Sequence, residues 1–175
     1  MGLKTLVTGG VRSGKSACAE GLLAGEAEVS YLAPGPRWAD DADWNTRIEA
    51  HRARRPAHWR TVENTDLAGA LRALESAALV DCLGTWLTGR LDEQGAWDEA
   101  AGWQERMSQE ISSVVEAWQS CPYRLVGVTN EVGLGLVSEH RSGRVFADWL
   151  GRLNQRVAAV SDDVILVVAG RQLVL

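Results

Sequence analysis

Gly9-Gly10-Val11-Arg12-Ser13-Gly14-Lys15-Ser16 fits the pattern G-x-x-x-x-G-K-[ST], and each residue type in it answers a need of phosphate chemistry. Glycines let the backbone curl until successive N–H groups face inward at phosphate oxygens. A helix opening at the lysine adds the positive end of its dipole. Lys15 reaches the β- and γ-phosphates of a nucleoside triphosphate, and the Ser16 hydroxyl can ligate Mg²⁺. Any glycine-rich turn before a helix shares part of this composition. Here the match follows a strand-like run, Lys4 to Thr8, and precedes a helical one, which is the context the loop requires.

A Mg²⁺ ion held by Ser16 needs a second anchor, commonly an acidic residue at the end of another strand acting through water. Asp81 closes the apolar run Ala77 to Val80 and meets that requirement, because ligands of open α/β sheets sit at the carboxyl ends of strands. A helical pattern starts just after Asp81, so a helix N-cap is the competing role.

Arg47, His51 and Arg55 are spaced four apart, which keeps them on one helical face with a drift of about 80°. Arg52 and Arg54 flank the histidine. A neutral imidazole can attack an α-phosphorus and form a phosphoramidate, and neighbouring guanidiniums would hold the triphosphate and favour the neutral ring. The same spacing also suits a solvated basic helix face. His58 follows Pro56 in an extended stretch where a structural role is expected. His140 sits in a loop before a helix, where exposure is the simple expectation.

The elements that must position these groups read as strands alternating with helices, hence an α/β fold with a mostly parallel central sheet flanked by helices, P-loop NTPase-like. Strands are expected at Lys4 to Thr8, Val29 to Leu32, Ala77 to Val80, Leu125 to Val128 and Val164 to Val168, with a short extended piece at His58 to Val62. Gln172 to Leu175 is expected to form a C-terminal antiparallel hairpin with the last of them. Helices are expected at Lys15 to Ala24, Asp40 to Arg55, Leu67 to Glu75, Trp97 to Trp118 and Arg141 to Val160. Trp103, Met107, Ile111, Val114 and Trp118 repeat at three or four, which predicts a core-facing stripe. Val145, Trp149, Leu153 and Val157 do the same on the last helix.

Composition narrows the class. A chain of 175 residues is expected to form a single domain, 1–175, large enough to bury its own core. With 46% hydrophobic and 23% charged residues it is an ordinary globular sequence, neither disordered nor fibrous. A net charge of −5 argues against a general nucleic-acid binder. Cys18, Cys82 and Cys121 lie far apart, so neither a zinc site nor a disulfide framework is indicated. No apolar run approaches the ~20 residues of a membrane span, and the first residues do not resemble a signal peptide, which predicts a cytoplasmic protein. A regulatory GTPase would carry an Asn-Lys-x-Asp element; the nearest string, Thr129-Asn130-Glu131-Val132, lacks it.

Three blocks together resemble the bifunctional adenosylcobinamide kinase / adenosylcobinamide-phosphate guanylyltransferase family of cobalamin biosynthesis. They are Thr8 to Ser16; Arg47-Ile48-Glu49-Ala50-His51, continuing through Arg55-Pro56-Ala57-His58-Trp59-Arg60-Thr61-Val62-Glu63; and Val128 to Val137, followed by Arg144, Phe146, Asp148, Gly151 and Asn154. The resemblance implies that a nucleoside triphosphate, ATP or GTP, phosphorylates adenosylcobinamide. It implies further that GTP guanylylates an enzyme histidine, and that the GMP passes to adenosylcobinamide phosphate. The guanylylated histidine falls on His51. The family's GTP contacts fall on Gly9, Gly10, Val11, Arg12, Ser13, Gly14, Lys15 and Ser16, on Ala33, Pro34 and Gly35, on Arg52, Ala53, Arg54 and Arg55, and on Glu63 and Asp81. Similar proteins are homotrimers with nucleotide sites near subunit boundaries. Gly84, Ser138 and the rigid Ala33-Pro34-Gly35 loop depart from the family's usual Thr, Pro and Thr-bearing loop. A P-loop small-molecule kinase without nucleotidyl transfer is the alternative. Asn130 and Glu131, just past a strand end, either shape the site or contact cobinamide, or else form a tight strand–helix connection, which the glycines suit equally.

Overall fold

The computed structural model describes residues 2–36 and 55–175. The helix expected over 40–55 therefore lies outside the described residues up to 54, and with it Arg47, His51, Arg52, Ala53 and Arg54.

β1 (Lys4–Thr8) carries five consecutive buried residues, the pattern of a strand covered on both faces. The chain continues through α1 (Lys15–Leu22), β2 (Val29–Ala33), β3 (Arg60–Glu63), α2 (Leu67–Arg72), β4 (Ala77–Asp81), α3 (Leu83–Glu93), α4 (Trp103–Ser120), β5 (Leu125–Val128), α5 (Arg141–Ala158), β6 (Asp163–Val168) and β7 (Arg171–Val174). The seven strands form one sheet in the order β3-β2-β4-β5-β1-β6-β7. Every pairing is parallel except the closing β6–β7 hairpin, which is antiparallel as expected.

Side chains alternate between two faces along each strand. One face, with Val7, Tyr31, Leu79, Val128 and Ile165, packs against Ala19 and Leu23 at the α1 end of the chain. The other, with Leu6, Leu32, Val80 and Leu125, takes α2 to α5. On α4 the expected stripe is buried residue for residue, joined by Ala117. Each large apolar side chain so buried contributes about 1.5–3 kcal/mol, against at most ~0.7 kcal/mol per residue from intrinsic helix preference, so packing sets the helix's place. Trp118 packs close against β5 because Gly127 has no Cβ: one built there would meet the indole at 2.5 Å. The indole N–H donates to Ser161 Oγ at 3.1 Å. On α5 Trp149, Leu153 and Val157 are buried with Leu150, and Val145 packs at the edge of that core. No described helix is long and apolar enough to cross a membrane.

Three expectations are corrected. The helix expected from Trp97 begins at Trp103, after turns in which Glu99 and Gly102 have positive φ (56° and 73°). Arg141 explains the delay, since its guanidinium takes the Ala96 and Trp97 carbonyls at 3.0 and 3.2 Å and pairs with Glu99 at 2.8 Å. The first two carbonyls would otherwise open the helix. The extended piece expected from His58 starts instead at Arg60, because Trp59 N–H closes a turn on Pro56 O at 3.0 Å. His58 is exposed in that turn and has no packing role.

Candidate active site

β1 ends in the glycine loop, whose shape depends on two residues. Gly9 has φ 155°, and a Cβ there would lie 2.4 Å from the Val167 carbonyl of β6. Gly14, with φ 98°, is the N-cap residue of α1, and a Cβ on it would meet Gly170 Cα at 3.3 Å. Lys15 therefore starts a helix whose first N–H groups face the loop, and its Nζ folds back to donate to Gly10 O at 3.1 Å. That posture spans the space a β/γ-phosphate would occupy. Inside the loop Ser13 Oγ is buried without a hydrogen-bond partner among the described residues, as is Thr8 Oγ1 at the end of β1. Orphaned hydroxyls at a phosphate cradle suit a ligand that brings its own oxygens.

Two neighbours brace the loop. Gly170, in the turn of the β6–β7 hairpin, donates its N–H to Ser13 O at 2.8 Å, and Glu131 donates its N–H to Gly9 O at 3.1 Å. The expectation that Asn130 and Glu131 shape the site thus has a physical basis. Thr129 Oγ1 donates to Asn154 Oδ1 at 2.6 Å, and Asn154 Nδ2 donates to Asn130 O at 3.0 Å. Helix α5 clamps this strand end. Beyond it Leu134, Leu136 and Val137 are exposed.

Asp81 stands at the end of β4, separated from β1 by β5. The registers Val7↔Val128 and Val128↔Asp81 put it level with Val7, two strand spacings or roughly 10 Å across. The N-cap role falls to its neighbour: Cys82 Sγ accepts from Thr85 N–H at 3.5 Å. The carboxylate of Asp81 instead accepts from Tyr31 Oη at 2.7 Å. Tyr31 pairs with Leu79, so the two-residue pleat puts Tyr31 and Asp81 on the same face. Burial first, and then the Asp81 charge, push the Tyr31 phenol well above its ordinary range, so it remains a donor. The Cys82 thiol is also raised, by burial and by Asp81, with Lys15 among the groups that oppose the shift.

Arg55 lies over the Tyr31 ring, its guanidinium carbon 3.4 Å from the centroid, and donates to Thr61 Oγ1 at 3.2 Å. Its Nε is buried with no partner among the described residues. Trp59 packs beside the same ring, centroids 6.5 Å apart. Ala33 ends β2 in register with Glu63 at the end of β3. Pro34 is buried, and Pro36 seats against α3, where a Cβ on Gly89 would stand 2.9 Å from its ring. Gly9 to Ser16, Ala33 to Gly35, Glu63 and Asp81 therefore gather at one edge of the sheet, the carboxyl edge. Ligands of such sheets bind there. His140 is exposed at the start of α5.

The donors fit Mg²⁺. Among the described residues no group of three or more His, Cys, Asp or Glu could hold a metal alone. One hydroxyl and one carboxylate, completed by nucleotide oxygens and water, is the set a small hard cation accepts. Tyr31, Asn154, Gly89 and Gly170 are site-shaping residues to which sequence spacing assigned no such role. Their signal was weak: a tyrosine in an apolar strand, an asparagine within a helix, a glycine in a helix and a glycine in an expected hairpin turn, none of them spaced with the phosphate motif. The concave surfaces between α4 and α5 (Ile111, Trp149, Arg152) and around Gly2, Gln119 and Asp162 include none of the residues gathered at the carboxyl edge.

Comparison with known proteins agrees with this geometry. Residues 5–175 match the family described as cobinamide kinase / cobinamide phosphate guanyltransferase. The chain is 43% identical over 175 residues to the bifunctional adenosylcobalamin biosynthesis protein CobU of Salmonella typhimurium, covering 94% of this chain and 95% of that one. It is 42% identical to the Escherichia coli protein of the same name, with the same coverage. The bifunctional adenosylcobalamin biosynthesis protein CobP of Pseudomonas aeruginosa is 40% identical over 173 residues, 96% of this chain and 94% of that one. Among solved structures, a prototypical type III secretion ATPase superposes with a TM-score of 0.57 at 12% identity, covering 95% of this chain, which spans about half (51%) of the ATPase chain. At that identity the likeness speaks for the fold alone, and the fold is P-loop NTPase-like.

Proposed function

This chain belongs to the cobinamide kinase / cobinamide phosphate guanyltransferase family, whose members are bifunctional enzymes, and from that premise we propose that it phosphorylates adenosylcobinamide and then guanylylates the product through His51. In the first reaction the aminopropanol hydroxyl attacks the γ-phosphorus of ATP or GTP, loses its proton, and the nucleoside diphosphate leaves. In the second, a neutral imidazole nitrogen of His51 attacks the α-phosphorus of GTP and pyrophosphate leaves. A phosphate oxygen of adenosylcobinamide phosphate then attacks the histidine-bound phosphorus. The P–N bond breaks and adenosylcobinamide-GDP is formed.

The observation that carries the reading is the posture of Lys15, arched over Gly10 O at 3.1 Å in a loop held open by Gly9 and Gly14. Its ammonium neutralises the developing charge on the β- and γ-phosphates, and the loop N–H groups orient them. Ser16 and Asp81 would hold Mg²⁺, which when bound supplies charge neutralisation at the same oxygens. Arg55, with Arg52 and Arg54, serves as a triphosphate contact, and Ala33 to Gly35 and Glu63 border the nucleotide. The exposed Leu134, Leu136 and Val137 offer apolar surface to the corrinoid. By the family resemblance the enzyme is a homotrimer, a mass that light scattering measures; its three scattered cysteines suit a reduced, cytoplasmic setting.

The decisive experiment is His51→Ala assayed separately for the two reactions, with wild type labelled by α-³²P-GTP. Acid-labile, base-stable label on the wild type, none on the variant, and phosphorylation retained by both is the expected result. Equal survival of both activities in the variant overturns the histidine assignment. Absence of label on the wild type, with kinase activity intact, favours a small-molecule kinase without nucleotidyl transfer.

A further inference from the structure

We propose that Tyr31 is a positioning residue for this chemistry: its hydroxyl orients the Asp81 carboxylate, while its ring face seats the Arg55 guanidinium. The inference rests on the reading of Asp81 as the metal anchor and of Arg55 as a phosphate contact. It adds the residue that fixes both.

The geometry is specific to a tyrosine. Tyr31 pairs with Leu79, and Asp81 lies two residues further along β4 on the same face, roughly 7 Å up the strand. A phenol is long enough to lie along that face and deliver an O–H to the carboxylate, and it does so at 2.7 Å. Tyr31 is 1% exposed, so a hydroxyl there without an acceptor would be costly. A phenylalanine would fill the same volume between Val29, Leu79 and Trp59, so packing alone does not account for the oxygen. The donor sits behind an oxygen ligand in the manner of an outer-shell partner, which sets the direction of the ligand's lone pairs.

The same ring has a second task. The Arg55 guanidinium stacks 3.4 Å from its centroid, and Thr61 Oγ1 accepts from Arg55 Nη1 at 3.2 Å. The aromatic face and the threonine leave a planar fork with its Nε still without an acceptor among the described residues. Such a fork is pre-organised for phosphate oxygens. One buried side chain thereby links the group assigned to the cation with a group assigned to the triphosphate.

The test uses Tyr31→Phe, which keeps the ring and removes the donor, and Tyr31→Leu, which removes both. GTP binding is measured by equilibrium dialysis of its α,β-methylene analogue, which cannot lose pyrophosphate to His51, across a Mg²⁺ series without cobinamide, beside the Mg²⁺ dependence of phosphorylation. In Tyr31→Phe the Mg²⁺ concentration giving half of the affinity gain is expected to rise about tenfold, the low end for loss of an outer-shell partner, and the kinetic half-saturation to move with it. Tyr31→Leu is expected to show that shift plus weaker GTP binding at saturating Mg²⁺. A purely structural tyrosine would lower the Tm and leave the Mg²⁺ midpoint in place, and that result in Tyr31→Phe overturns the proposal. Asp81→Asn separates the two readings. If it abolishes the Mg²⁺ effect while Tyr31→Phe matches wild type, the positioning role fails and the metal assignment stands. If Asp81→Asn itself leaves the Mg²⁺ effect intact, the metal assignment and the positioning role fail together.

Discussion

Asn154 on α5 accepts the Thr129 hydroxyl at 2.6 Å and donates to the Asn130 carbonyl at 3.0 Å, so a helix reaches across and pins the end of β5 beside the phosphate loop. Thr129 is fully buried. Replacing Asn154 with Leu leaves a buried hydroxyl without that acceptor and a carbonyl without that donor, and a loss of about 1–3 kcal/mol is expected. Asn154→Asp keeps the acceptor and should lose less. Urea midpoints rank the two.

Gly9→Ala puts a methyl 2.4 Å from the Val167 carbonyl at a φ that side chains rarely adopt. Backbone strain of about 1–3 kcal/mol is expected, and the loop must open to relieve it. GTP affinity in a dialysis assay should fall at least about tenfold, the equivalent of ~1.4 kcal/mol. Wild-type affinity in this variant would show that the cradle is not the nucleotide site.

Among the described residues Lys15 Nζ donates to the exposed Gly10 carbonyl and to no other group. Lys15→Met should therefore fold with a Tm near that of wild type. Phosphorylation should fall in kcat by about 10²–10³, the range for losing one group aimed at transition-state charge. Steady-state kinetics with thermal denaturation as the control checks both halves.

Gly127→Ala drives a methyl against the Trp118 ring at 2.5 Å, with backbone sheet on one side and a fully buried indole on the other. Overpacking of this kind costs about 1–3 kcal/mol. Gly127 is in register with Leu6 and Val80 on the sheet face turned to α4, opposite the face that carries Tyr31 and Asp81, so the loss should be read in stability and not in the KM for GTP.

Burial and the Asp81 charge raise the Cys82 thiol above its usual value of 9.0, and burial raises Cys18. A raised thiol pKa means that folding favours the protonated form. Its stabilising contribution is present below 9.0 and is lost as pH rises toward the folded value. At pH 8 iodoacetamide should label Cys82 more slowly in the native protein than in urea, with the gap narrowing as pH is raised. Peptide mass spectrometry gives the rates, and equal rates at pH 8 would contradict the assignment.

The strand–loop–helix of residues 4–22 was legible because its signals are local. A buried run, glycines at fixed offsets and a lysine each constrain only their neighbours, and Gly14 at φ 98° is where the pattern put it. The α4 stripe was equally legible, since 3.6-residue periodicity is a one-dimensional signal. The start of α4 was not, because Arg141, some forty residues on, claims the carbonyls that would have begun the helix earlier. His51 lies outside the described residues with Arg47, Arg52 and Arg54, so their assignment stays with the family resemblance and the labelling experiment.

Sequence by itself determined the glycine loop whose pattern suits a triphosphate, which acid ends another strand, and which family the chain resembles. Each of those rests on residue type and short spacing. Only the tertiary structure decided that Tyr31 meets Asp81, that Asn154 pins Thr129 and that Gly170 braces Ser13. These contacts depend on the strand order β2-β4-β5-β1-β6 and on its registers. That order arises from how two apolar faces are covered at once, a condition on the whole chain that no local stretch of sequence encodes.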